Sequence, residues 1–210
     1  MSASSENARL ETFCDGVIAI AITLLVLDLK VPVFENAHSL TEIWHVTSRL
    51  WISLFAFLFS FTIIFIAWLG HHNLLKQVNK NSGFFLFANG FFLLTIILMP
   101  FQTAFMAEYL NTEYVRYAIV FYSIVAMLHN IGWNLLYMSI LGSKPLAEPN
   151  KIVLIKESSK GARYGFVIYI VLLSISWWFP YIVLGISTIM WIGWLVVSLN
   201  LVNQGNAESK

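Results

Sequence analysis

From Leu50 to Gly70 the chain runs without a single charged residue. A helix needs about 20 apolar residues to cross the hydrocarbon core of a bilayer, and this stretch is that long. Within it Phe55, Phe57, Phe59 and Phe61 alternate as in a strand. A lone strand in lipid would leave its backbone groups unsatisfied, so the segment is expected to be helical. The rest of the chain repeats the pattern. Of 210 residues 59% are apolar and 11% charged, against roughly 45–50% and 25% in ordinary soluble domains. So few charges cannot cover a water-soluble surface. A net charge of +1 supplies no basic field for nucleic acid. The single cysteine, Cys14, excludes an internal disulfide framework and a multi-cysteine metal site.

Six spans are expected: Phe13 to Leu29, Leu50 to Gly70, Gly83 to Met106, Tyr117 to Leu141, Tyr164 to Phe179 and Tyr181 to Asn200. They make one all-α membrane domain over residues 1–210, with polar tails at 1–8 and 203–210. The first span is short enough for a secretory leader. Glu6 and Glu11 ahead of it, and no small-residue cleavage pattern behind it, favour a retained helix. Trp177-Trp178-Phe179-Pro180-Tyr181 combines a headgroup-level aromatic belt with a proline turn. Pro100 and Pro180 are expected at helix ends.

Orientation follows from Lys and Arg. Arg9, Lys76, Lys80, Lys144, Lys151, Lys156, Lys160, Arg163 and Lys210 fall on one side, and Lys30, Arg49 and Arg116 on the other. Nine against three places both termini in the cytoplasm.

Ionisable residues within a membrane are the default functional candidates. Most lie at span ends: Arg9, Glu11 and Asp15 before the first, His71 and His72 after the second. His129 lies inside the fourth, with Asn130 and Asn134. Neither a metalloprotease, a nucleophile-elbow nor a phosphate-loop motif occurs, and no enzyme is expected. Cys14 beside Asp15 reads as a small helix-interface residue. Adjacent His71 and His72 point about 100° apart and would not chelate together, so no metal set is expected. His129 is read as hydrogen-bonded to another helix, with a proton relay as the alternative.

In the first span Ile20, Leu24 and Leu27 share one helical face over a height of roughly 10 Å. Phe13 and Val17 extend the stripe, and Thr23 lies about 60° to one side. Around an axis, such a stripe forms rings that close a pore by dewetting. The alternative is plain packing, because every face of this helix is apolar.

Arg9-x-x-x-Phe13-Cys14-Asp15 resembles the R-x-x-x-F-S-D signature at the start of the first helix in the transmembrane-protein-175 family of potassium channels. Cys14 stands where the family usually has serine. The six spans and the chain length match single-unit prokaryotic members, so the resemblance covers the whole chain. It implies a homotetramer in the prokaryotic plasma membrane, with the first helix of each subunit around a central potassium pore. It implies no cofactor and no carbonyl filter of the TVGYG type. By position after the signature, Ile20 would form the constriction, Thr23 the threonine a turn further out, and Leu24 and Leu27 the outer apolar rings. Arg9, Phe13, Cys14 and Asp15 would tie the first helix to Trp68, His71, His72 and Asn73 of the second. Asp28 could draw cations to the outer mouth, within the screening length of about 8–10 Å.

The expected function is a potassium-permeable, weakly selective channel. The competing readings are a secondary transporter, which needs paired broken helices at the midplane, and a proton pathway through His129 or through Asp15 and His71.

Overall fold

The computed structural model describes residues 3–29 and 40–208. Six α-helices follow one another: α1 (Ala3–Leu24), α2 (Leu40–Leu75), α3 (Gly83–Tyr109), α4 (Val115–Ile140), α5 (Pro149–Ile175) and α6 (Pro180–Glu208). A 3-10 turn, Leu25–Asp28, tightens the end of α1. Five of the six helices are long and apolar enough to cross a membrane.

Local chemistry sets several helix boundaries. The Ser82 hydroxyl accepts the Phe85 N–H at 3.1 Å and caps α3. Pro149 and Pro180 open α5 and α6, positions where the missing N–H removes no helical bond.

Some boundaries depart from those expected. Helix α1 begins ten residues before Phe13, and α2 ten before Leu50, because polar residues outside the lipid continue a helix as readily as apolar ones start it. Residues 3–8 are helical rather than a tail, and α6 carries 203–208 of the other expected tail. Helix α5 begins at Pro149, well before Tyr164. Lys151, Lys156, Lys160 and Arg163, expected in a loop, lie on its first half, where Lys160 pairs with Glu157 at 2.6 Å. Pro100 is not at a helix end: α3 runs on to Tyr109, leaving Pro100 internal and buried.

The helices alternate in direction. At one end Asn7 of α1 donates to the Val78 carbonyl at 2.7 Å. Beside it the α2–α3 and α4–α5 connections join, as Asn79 and Lys80 N–H groups meet the Leu146 carbonyl at 3.0 and 3.2 Å. At the other end Tyr181 reaches the Leu110 carbonyl at 3.4 Å, and Tyr117 meets Trp177 edge-on at 5.3 Å between ring centres.

Between these ends the helices are joined by small residues and buried polar pairs. In lipid there is little hydrophobic drive between helices, so close packing and interhelical hydrogen bonds decide. A Cβ on Gly132 of α4 would stand 3.3 Å from Phe92 Cα of α3. One on Gly165 of α5 would stand 2.7 Å from Asn130 Nδ2 of α4. The Ser60 and Thr103 hydroxyls lie 2.5 Å apart between α2 and α3. Trp191 of α6 donates to the Tyr122 hydroxyl of α4 at 2.9 Å. Each such bond contributes about 0.6 kcal/mol, up to roughly 1–2.

The α3–α4 contact yields a direct test. Gly132→Val must push against Phe92 backbone, and overpacking of this kind costs about 1–3 kcal/mol. Thermal unfolding in detergent is expected to show a lower midpoint than for the parent. An unchanged midpoint would mean that α3 and α4 do not approach this closely.

Candidate functional site: the two faces of helix α1

From Gly16 to Leu24 helix α1 is apolar apart from Thr23, yet its two long faces differ in burial. Cys14, Ile18, Ala21 and Leu25 recur at spacings of four, three and four residues and are all at most 2% exposed. That stripe packs into the subunit. About 200° around the helix from Ile18 lies Ile20, 61% exposed, followed by Leu24 at 42% and Leu27 at 74%. Phe13 extends the open stripe at its base, whereas Val17 is partly buried against the core. Thr23 is exposed on the same side, and its hydroxyl donates to the Ile20 carbonyl at 2.8 Å. The proton is thus used within the helix, and the oxygen lone pairs remain available to a cation. The Asp28 side chain lies outside the described residues.

The base of α1 is tied to α2. Trp68 donates its indole N–H to Asp15 Oδ1 at 2.9 Å. Its ring stacks on His72 at 5.6 Å between centres. His72 Nδ1 stands 3.0 Å from Glu11 Oε1. Sequence reasoning grouped Trp68, His71, His72 and Asn73 as partners of Arg9 and Asp15, and the structure divides that group. Trp68 reaches Asp15. His72 reaches Glu11, a residue the signature leaves out. His71 turns away: it is fully buried, stacks on Phe92 at 4.9 Å, and its Nε2 meets Asn89 Oδ1 of α3 at 2.9 Å. Asn89 spends its own amide N–H on the Phe85 carbonyl, so His71 Nε2 is the donor. Among the described residues, Arg9 is exposed without an ion pair, and no hydrogen bond links Asn73 to Arg9 or Asp15. Helical geometry explains the division: Trp68 and His72, one turn apart, share a face of α2 toward α1, whereas His71, about 100° from His72, faces α3.

His129 is held on both ring nitrogens. Trp133 donates to its Nε2 at 3.1 Å, and its Nδ1 lies 2.9 Å from the Thr95 hydroxyl of α3. Thr95 gives its proton to the Phe92 carbonyl at 2.6 Å, so Nδ1 carries the histidine proton. A neutral imidazole with both nitrogens engaged has no free acceptor for a relayed proton. Next to it, Asn134 donates to the Ala162 carbonyl at 3.1 Å and to Asn130 at 2.9 and 3.0 Å, clasping α4 to α5. Cys14 is 0% exposed, a helix-interface residue out of reach as a nucleophile.

A cavity of about 370 Å³ opens between α2, α4, α5 and α6, walled largely by Trp133, Tyr137, Tyr169, Trp191 and Trp194. No residue of α1 lines it. The open α1 stripe and this cavity are therefore separate features of the subunit.

Known proteins share this architecture. Residues 9–100 match the family described as endosomal/lysosomal potassium channel TMEM175. A potassium channel of Chamaesiphon minutus is 33% identical over 190 residues, 89% of this chain and 92% of that relative. The chain belongs to the TMEM175 family. A potassium channel of a Chryseobacterium strain is 32% identical over 193 residues, 90% of this chain and 93% of the relative. The crystal structure of the lysosomal potassium-selective channel TMEM175 homolog from Chamaesiphon minutus superposes with a TM-score of 0.82 at 31% identity, over 92% of this chain and 98% of that one. A structure of a variant of the potassium channel MtTMEM175 shares the fold, with a TM-score of 0.59 at 18% identity over 93% of each chain.

The α1–α2 tie in this TMEM175 chain has a measurable strength. Trp68→Phe keeps the ring and removes the N–H facing a charged acceptor. Hydrogen bonds to charged groups contribute about 1.5–3 kcal/mol when buried, and partial exposure brings this to about 1 kcal/mol. Thermal unfolding of Trp68→Phe is expected to fall accordingly, and a midpoint equal to the parent's would contradict the bond.

Proposed function

We propose that this chain is one subunit of a potassium-permeable, weakly selective channel, in which copies meet through α1 around a central axis. The observation that carries the reading is the burial contrast on α1. One apolar stripe is satisfied inside the subunit, and the opposite one, Ile20, Leu24 and Leu27, is left open. Membership of a family whose relatives are named potassium channels supports reading this open face as the pore lining. Four subunits, both termini cytoplasmic and a place in the plasma membrane complete the proposal. The first follows the family resemblance and the second the Lys and Arg distribution.

Brought to an axis, Ile20, Leu24 and Leu27 stack as rings over roughly 10–12 Å. Branched apolar rings hold water poorly and gate by dewetting. Potassium holds its hydration shell less tightly than sodium, so a narrow ring that coordinates poorly penalises potassium less. Thr23 oxygens, with protons committed to the helix backbone, add a layer of acceptors beside the Ile20 ring. Such a device discriminates modestly, since tenfold selectivity needs only about 1.4 kcal/mol. Asp28 would add a cation-attracting charge near the outer mouth, screened within about 8–10 Å.

The transporter reading asks for paired broken helices at the midplane. Among the described residues Pro100 is the single proline inside a helix. The proton-relay reading loses its donor–acceptor chain at His129, and His71 faces Asn89 rather than Asp15.

Potassium flux into liposomes tests the channel. Ile20→Asn is expected to raise flux and to lower the preference for potassium over sodium, because a polar ring stays wet. Thr23→Val is expected to lower the preference by up to about tenfold, equivalent to 1.4 kcal/mol. Flux and selectivity equal to the parent in both variants would remove α1 from the ion path.

A further inference from the structure

Glu11 and Asp15 lie one turn apart on α1, and His72 approaches them from α2. One ligand atom from each, two carboxylate oxygens and one imidazole nitrogen, lie within 4.8 Å of one another. All three residues are half-buried. Their surroundings hold them in place. The Trp68 indole fixes Asp15 Oδ1 at 2.9 Å and stacks on the His72 ring, so one side chain orients both an oxygen donor and a nitrogen donor. Outer support of this kind is what metal-binding carboxylates and imidazoles receive. His72 Nδ1 is shut off from solvent and has no hydrogen bond, although Glu11 Oε1 is 3.0 Å away. Buried polar atoms are normally hydrogen-bonded, and a ring nitrogen 3.0 Å from a carboxylate oxygen without such a bond is a donor suited to a cation.

We propose that Glu11, Asp15 and His72 bind a divalent first-row transition ion at the junction of α1 and α2. The donor chemistry selects this class. Calcium takes six to eight oxygens, and magnesium keeps an octahedral shell rich in water. An imidazole with two carboxylates suits zinc and its neighbours in the first row. Two negative charges offset the charge of the ion in a partly buried place. Zinc bonds of about 2.0–2.2 Å put donor atoms roughly 3.3–3.5 Å apart in a tetrahedron, so side-chain rotations of about an ångström close the set. The fourth position would be left to water. Adjacent His71 does not contribute, being committed to Asn89.

The ion would clamp α1 to α2. Its effect on conduction rests on the reading that α1 lines the pore: a clamped α1 restrains the helix that carries Ile20, and potassium flux should fall when the ion binds. The binding itself does not depend on that reading.

The test uses the full-length protein in detergent with zinc alone as probe, followed by calorimetry, and with cobalt as a spectroscopic substitute. The parent is expected to bind one ion per subunit, with cobalt showing visible absorption that zinc removes. His72→Gln and Glu11→Gln should each weaken binding at least tenfold, and Glu113→Gln, on the exposed α3–α4 connection, should leave it as in the parent. If His72→Gln fails to fold, Glu11→Gln decides, because its side chain is 31% exposed and ties no core. A parent that binds no ion at one per subunit overturns the proposal, as does a folded Glu11→Gln protein that binds as tightly as the parent. Potassium flux with and without zinc, read beside the Ile20→Asn variant, separates failure of this site from failure of the pore assignment.

Discussion

The indole N–H that Trp68 gives to Asp15 sets the rotation of α1 about its own axis. Everything proposed for this chain depends on that rotation. With Asp15 held toward α2, Cys14, Ile18, Ala21 and Leu25 turn into the subunit, and Ile20, Leu24 and Leu27 turn out. A rotation of one residue, about 100°, would bury part of the outer stripe and expose part of the inner one. An all-apolar helix has no solvent preference to choose between these arrangements. The choice falls to the polar contacts at its base, Trp68 with Asp15, His72 with Glu11 and Asn7 with the Val78 carbonyl, and to the close packing of small side chains such as Ala21 along its length.

The remaining helices form a frame that keeps α1 in place without sharing its open face. Polar side chains within the membrane are spent on neighbouring helices: Ser60 on Thr103, His71 on Asn89, His129 on Thr95, Asn134 on the Ala162 carbonyl. Groups satisfied in this way hold helices in register and are not free to move ions or protons. The contrast with α1 is instructive. Beyond Asp15 its outer face carries apolar side chains and Thr23, whose proton is already bonded, which is a surface with few ties of its own.

How far the sequence reached can be traced residue by residue. The third and fourth spans were legible nearly to their ends, because Gly83 and the charged residues near 108–116 bracket apolar runs. The fifth was not: four basic residues on the first half of α5 disguise a helix as a loop, since hydropathy measures lipid exposure and not backbone conformation. On α1 the Ile20–Leu24–Leu27 stripe could be drawn from spacing, but burial alone distinguishes it from the Cys14–Leu25 stripe of equal apolarity. The family signature pointed to Asp15 and to α2. It led to Trp68 among the partners of Asp15, as the structure has it, but did not reveal that His71 and His72 part company or that Glu11 joins them, because contacts between helices leave no mark in spacing along the chain. The proposed metal-ligand set was not legible for the same reason: its carboxylates and its histidine lie on different helices.

The central claim is that the open stripe of α1 faces its own copies across an axis. Oxidative cross-linking in native membranes measures this most directly, and the chain lends itself to it, since the single cysteine, Cys14, is buried. In a Cys14→Ala background, Ile20→Cys is expected to give covalent dimers on oxidation, while Ile97→Cys, on the exposed side of α3, stays monomeric. A monomeric Ile20→Cys protein under conditions where the chain is assembled would place that stripe against lipid and contradict the account.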